Sequence, residues 1–121
     1  MSIERRKFIR FEIPLDVIFK PSNEAPYSSG IIKNFSRYGC CIESKGTVLD
    51  LMENMELQVK HPCKDILVSA SGNIVWKRQL GNDKWLLGVD IIDMDKEAKS
   101  EILDFAYDIW LENNLKFNTV Q

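Results

Sequence analysis

Hydrophobic and polar residues alternate with a period of two over most of the first ninety positions. From Phe11 to Lys20, Ile13, Leu15, Val17 and Phe19 fall on one face, and Glu12, Pro14, Asp16 and Lys20 on the other. This is the pattern of a half-buried β-strand. Pro14 lacks an N–H, so the strand is expected at an edge, or incompletely paired at that point. Pro21–Pro26 reads as a loop. Tyr27 to Lys33 predicts a second strand, with Gly30 marking a bulge. Asn34 to Gly39 reads as a turn in which Asn and Ser bond the backbone and Gly39 takes a positive φ. Cys40 to Ser44 resumes a strand, and Lys45–Asn54 fits either a loop or a short helical turn opened by Thr47 and Asp50. Met55, Leu57 and Val59 define another strand, and His61–Asp65 turns the chain round. Ile66, Val68, Ala70, Gly72, Ile74 and Trp76 share a face of a long strand that Gly72 is expected to bend. After a turn at Gly81–Asp83, Trp85, Leu87, Val89 and Ile91 form the last strand. Five or six strands joined by short turns predict an antiparallel barrel or sandwich.

The period then changes. Ala98, Ile102, Phe105, Ala106 and Ile109 recur at helical spacing between Asp95 and about Leu115. Asp93 or Asp95 is placed to cap that helix, and Asp95 and Glu97 suit the positive end of its dipole. Leu103, Tyr107, Trp110 and Leu111 widen its apolar surface, which packs on the sheet and can offer area to a partner. Residues 116–121 are expected to fray.

Composition narrows the class. With 121 residues, 45% of them hydrophobic and 28% charged, the chain predicts one soluble domain. No apolar run reaches the roughly 20 residues that span a bilayer, and charges interrupt residues 1–20 where a signal peptide would need an apolar stretch. A cytoplasmic location without membrane insertion is expected. Three cysteines, with Cys40 and Cys41 adjacent and no Cys-x-x-Cys spacing, argue against a disulfide framework and against zinc; one of that pair is expected in the core. Net charge is -2 overall, but the first ten residues carry +3, leaving -5 elsewhere. A polymeric nucleic acid is a poor partner for such a balance. By itself the basic stretch Arg5-Arg6-Lys7-Phe8-Ile9-Arg10 reads more readily as a solvated terminus than as a clamp for an anion.

Two segments exceed what a barrel requires: Arg6-x-x-x-Arg10 and Asn34-x-Ser36-x-x-Gly39, about 28 residues apart. Arginine presents a planar fork that matches phosphate oxygens or a guanine edge and stacks on bases. Asn34 offers an acceptor and donors, Ser36 a hydroxyl, and Gly39 a close approach. A ligand bearing both phosphates and guanines would use all of them.

These two motifs, with Gly72-Asn73-Ile74-Val75-Trp76 and Leu87-Gly88-Val89 in the late strands, resemble the PilZ domain over nearly the whole chain. The resemblance implies a six-stranded antiparallel β-barrel with a C-terminal α-helix that binds the bacterial second messenger cyclic di-GMP. It divides the single domain 1–121 into a flexible basic arm (1–11), a barrel (12–92) and a helix (95–115). It implies that Arg6 and Arg10 grip guanine edges and phosphates, that Asn34 and Ser36 hydrogen-bond a guanine or the phosphodiester, and that Gly39 shapes the loop. Asparagine at 34 replaces the commoner aspartate and carries no charge. Arg5 resembles the third arginine of family members that take an intercalated ligand dimer. Trp76 lies either beside the ligand or in the core, and Arg37 is an additional candidate contact.

No resident cofactor or metal is expected, and no enzyme. His61 is the sole histidine, in a turn beside Pro62, where an exposed or structural role is expected, and no third group orients it with Cys63. Asp90, Asp93 and Asp95 are explained by a strand end and a helix cap. The remaining alternatives are a PilZ-like interaction module that binds no nucleotide and a barrel for single-stranded nucleic acid, for which interleaved aromatic and basic residues are lacking on the strands. With no second domain expected, a receptor would signal through a downstream protein partner.

Overall fold

The computed structural model describes residues 10–20, 26–46 and 54–119, with side chains as far as Asn114. Most of the basic arm, including Arg5 and Arg6, the loop 21–25, the Thr47–Asp50 segment and the chain end lie outside these residues. Six strands run in order: β1 (Leu15–Phe19), β2 (Ser28–Phe35), β3 (Gly39–Lys45), β4 (Met55–Lys60), β5 (Leu67–Gln79) and β6 (Lys84–Met94). Among the described residues one helix, α1 (Lys96–Thr119), follows. All pairings are antiparallel, and the sheet closes in the order β1-β2-β3-β6-β5-β4. The six-stranded barrel with a C-terminal helix is therefore the fold.

The period-two positions point inward as the alternation requires. Leu15, Val17, Phe19, Ile32, Phe35, Cys40, Ile42, Met55, Leu57, Val59, Leu87 and Val89 are buried in one core. Closure removes the edge expected at Pro14: β1 pairs with β2 from Leu15 and with β4 from Val17. The ladder does begin only after the proline. Upstream, Phe11 alone bridges Phe35, with reciprocal N–H···O bonds of 2.9 Å.

The strand register corrects the expectations for Gly30 and for the face of Trp76, and bears out the irregularity expected at Gly72. Gly30 is not a bulge, since it pairs continuously with Val17 and Ser44; the shift falls between Ile32 and Asn34. Near Gly72 the register does shift, with Ser71 opposite Asp93 and Gly72 opposite Ile91, so that Ile92 is the additional residue. A second shift between Ile74 and Trp76 reverses the facing of the strand end. Ile74 is buried, whereas Trp76 pairs with Gly88 and lies outside the barrel.

Helix α1 caps itself and then covers the barrel. The Ala98 N–H donates to Asp95 Oδ2 at 2.9 Å, the bond of an N-cap residue. Ala98, Ile102, Leu103 and Ala106 are buried in the same core as the strands. Phe11 meets Tyr107 edge-on with ring centroids 6.1 Å apart, and Tyr107 stacks on half-exposed Trp110. A second attachment comes from the β4–β5 turn. His61 is only 2% exposed: its Nδ1 accepts the Cys63 N–H at 3.0 Å, and its Nε2 lies 3.1 Å from Glu101 Oε1. Lys64 Nζ donates to the same carboxylate at 2.9 Å. The role of His61 is therefore structural, and its ring is buried. Hydrogen bonds from Lys64 and His61 hold the Glu101 carboxyl below its ordinary value. A depressed carboxyl favours folding above the ordinary carboxylate range and loses that contribution as pH falls through its lowered value. Replacing Asp95 by alanine is expected to cost about 1 kcal/mol by loss of the cap, measurable as a lower midpoint in urea unfolding.

Candidate functional site

The turn between β2 and β3 is held by its own backbone and by Ser36. The Ser36 N–H donates to Gly39 O at 2.8 Å, and the Gly39 N–H donates to Ser36 Oγ at 3.2 Å. The Ser36 hydroxyl also lies 3.2 Å from Gly39 O, with the side chain buried. The hydroxyl expected to reach a ligand is thus engaged within the turn, which it keeps closed. Gly39 is also not in the left-handed region; among the described glycines only Gly46 is, at φ 95°. Its requirement is steric, because a Cβ there would stand 2.5 Å from Val89 O. The Ile91 N–H donates to Tyr38 O at 2.8 Å and ties the turn to β6.

This turn fixes the end of a row of outward positions that crosses four strands. Asn34 on β2 is opposite Cys41 on β3, Cys41 opposite Gly88 on β6, and Gly88 opposite Trp76 on β5. At about 4.8 Å between strands the row spans roughly 14 Å. Its floor is low, since Cys41 is 7% exposed and Gly88 has no side chain. The indole of Trp76 lies across Gly88, where even a Cβ would collide with Nε1. Trp76 is nonetheless 44% exposed, giving an aromatic plane beside a shallow trough. At the opposite end Arg10 Nη1 donates to Asn34 Oδ1 at 3.2 Å. Phe11, one residue on, is buried, so the arginine leaves the barrel at an anchored point.

Positive charge gathers around this trough. Burial pushes the Cys41 thiol up, while Arg10, Arg78 and Lys33 pull it partly back and Glu43 adds to the rise. Cys40, on the core side of the strand, is pushed up to about 12 by burial. Both members of the pair are therefore buried thiols on opposite faces, where one was expected. Lys33 stands 4.0 Å from Glu43. Arg37 is exposed on the turn, and its charge, after burial, lowers the Lys99 ammonium on α1.

Of the residues singled out by sequence, the structure brings Arg10, Asn34, Ser36, Gly39 and Trp76 to one end and face of the barrel. Lys33, Cys41 and Arg78 were not singled out for the site, and Gly88 entered only through the late-strand resemblance. A tryptophan on one strand and a glycine on another is a recognisable cross-strand pair, but the bulge before Trp76 hides their register. Among the described residues no group of three or more His, Cys, Asp and Glu side chains is arranged to hold a metal ion. No helix among them is long and apolar enough to cross a membrane.

Comparison with known proteins places this geometry. A family profile described as the PilZ domain matches residues 4–108. No curated protein sequence matches the chain significantly. Among solved structures, the Bacillus subtilis inhibitor of motility MotI/DgrA superposes with a TM-score of 0.68 at 13% identity, over 86% of this chain and 50% of its own. MrkH of K. pneumonia in its apo state gives 0.61 at 17% identity, over 89% of this chain and 51% of its own. The chain spans about half the length of these structures, and the likeness is one of fold.

Proposed function

Because the chain belongs to the PilZ domain family, we propose that it is a receptor for cyclic di-GMP and acts as an adaptor towards a protein partner. The observation that supports this reading most is the Arg10–Asn34 pair at one end of a shallow trough whose other end is an exposed indole. Arg10 directs donors outward and Asn34 holds them in place. Arg6 and Arg5 precede it in the sequence and supply further forks for phosphates and guanine edges. Asn34 retains an amide for a base edge, Trp76 offers a plane on which a base stacks, and Ser36 and Gly39 contribute the shape of the turn. Arg37 borders the same turn. Each charge-assisted hydrogen bond contributes on the order of 1.5–3 kcal/mol, offset by about 1–2 kcal/mol for each backbone residue ordered on binding. Several arginine contacts exceed that cost by a modest margin.

Calorimetric titration tests the reading. Cyclic di-GMP is expected to bind, and a short single-stranded oligonucleotide is not; the reverse result, or no heat with either, rejects it. Because the ligand is a dianion held by cations, affinity is expected to fall as ionic strength rises, which titrations at two salt concentrations measure. The adaptor role predicts a protein retained by the immobilised chain only with the nucleotide, or only without it.

A further inference from the structure

The far end of the trough carries an arginine for which the fold has no use. Arg78 follows Trp76 by two positions on β5, pairs with Leu86 as Trp76 pairs with Gly88, and is exposed. Both side chains therefore leave the same outer face of the barrel. Arg78 makes no hydrogen bond or ion pair with another described residue. Neighbouring cations are engaged: Lys33 approaches Glu43, and Lys77 lies 5.4 Å from the centre of the Trp85 ring. Its charge nevertheless reaches Cys41 on the floor, together with that of Arg10. The acidic groups near the trough are Glu43, two strands away in the Arg78 row, and exposed Asp90 on the other flank of Gly88. Neither neutralises Arg78.

We infer that Arg78 is a ligand-contacting residue that closes the trough on the side opposite Arg10. It engages an anionic group of the nucleotide remote from the one Arg10 takes. Arg10 stands at the Asn34 end of a trough roughly 14 Å across, the span of four strands, and Arg78 beside Trp76 at the other end, where the indole accepts a base. The site therefore fits a nucleotide, or a stacked pair of nucleotides, with phosphates at both ends. This inference rests on the cyclic di-GMP reading given above.

The test uses the full chain, calorimetry with cyclic di-GMP at two salt concentrations, and the variants Arg78→Ala, Arg78→Lys and Lys84→Ala. Lys84 is exposed at the start of β6 and reports the effect of removing a surface charge alone. Arg78→Ala is expected to weaken binding about tenfold or more and to flatten its salt dependence, because one charge-assisted contact is lost. Arg78→Lys is expected to recover part of the affinity, and Lys84→Ala to stay within about twofold of the parent. Arg78→Ala binding like the parent, or Lys84→Ala weakening binding equally, overturns the inference. If Arg10→Ala loses affinity while Arg78→Ala does not, the receptor reading stands and only this inference falls. If the parent itself gives no heat, both fall.

Discussion

Arg10→Ala is expected to lower cyclic di-GMP affinity by roughly a hundredfold or more while the barrel stays folded. The loss follows from removing a guanidinium that can make two charge-assisted bonds, each on the order of 1.5–3 kcal/mol, and tenfold in affinity is about 1.4 kcal/mol. Folding is insulated because Arg10 is exposed and its bond to Asn34 lies at the surface; surface changes of this kind stay within about 0.5 kcal/mol. Phe11, the adjacent residue, keeps the anchor through its bridge to Phe35 and its contact with Tyr107. Arg10→Lys is a useful companion: it retains charge but not the planar fork, so an intermediate affinity is expected. Unchanged calorimetric affinity for Arg10→Ala would remove this residue from the site.

The second large effect is expected at Gly39, and there stability and binding should fall together. An added Cβ would meet the backbone oxygen of Val89 at 2.5 Å, which only a displacement of β3 from β6 or of the turn can relieve. Overpacking against backbone costs about 2 kcal/mol, or a melting temperature lower by roughly 6–12 °C for a domain of this size. The same displacement opens the Ser36–Gly39 bonds and moves Asn34, so affinity is lost with it. Gly81→Ala is the control, since nothing lies within 4 Å of a Cβ at that turn. Thermal melts and titrations of both variants check the pair of expectations. A Gly39→Ala protein as stable as the parent would show that the turn yields at no cost.

The contrast between the two residues shows what a sequence can convey about this molecule. Alternation over Ile13 to Phe19 and Met55 to Val59 identifies inward positions because the period of a strand is a local property. The helix and its cap are local as well: Asp95, one of the two candidates, caps it, and the helix starts as expected but runs on to Thr119, past Leu115 and into the residues expected to fray. What escaped is set by partners across the sheet. A bulge adds a residue relative to a neighbouring strand, so the reversal that turns Trp76 outward is invisible in the spacing of Ile74 and Trp76. The tightness at Gly39 comes from Val89, fifty residues away in sequence, and glycine at a turn suggested conformational freedom instead. Ser36 fits both a hydroxyl offered to a ligand and one consumed by its own turn, and only the 3.2 Å distances to Gly39 distinguish them. The trough itself is a register property: Asn34, Cys41, Gly88 and Trp76 become neighbours only once four strands are aligned. The motif residues of the candidate site were therefore legible, and Arg78 was not.

His61 has a use beyond its place in the fold. It is the only histidine in the chain, and its ring joins the β4–β5 turn to Glu101 on α1. The imidazole resonances of this protein consequently come from one ring and form one unambiguous set of NMR signals, at the seam between barrel and helix and far along the chain from the arginine motif. If nucleotide binding loosens α1, that set must shift as the Nε2 contact is lost. If it stays fixed while the signals of Asn34 and Trp76 move, the helix remains seated and the response to the nucleotide is confined to the trough side.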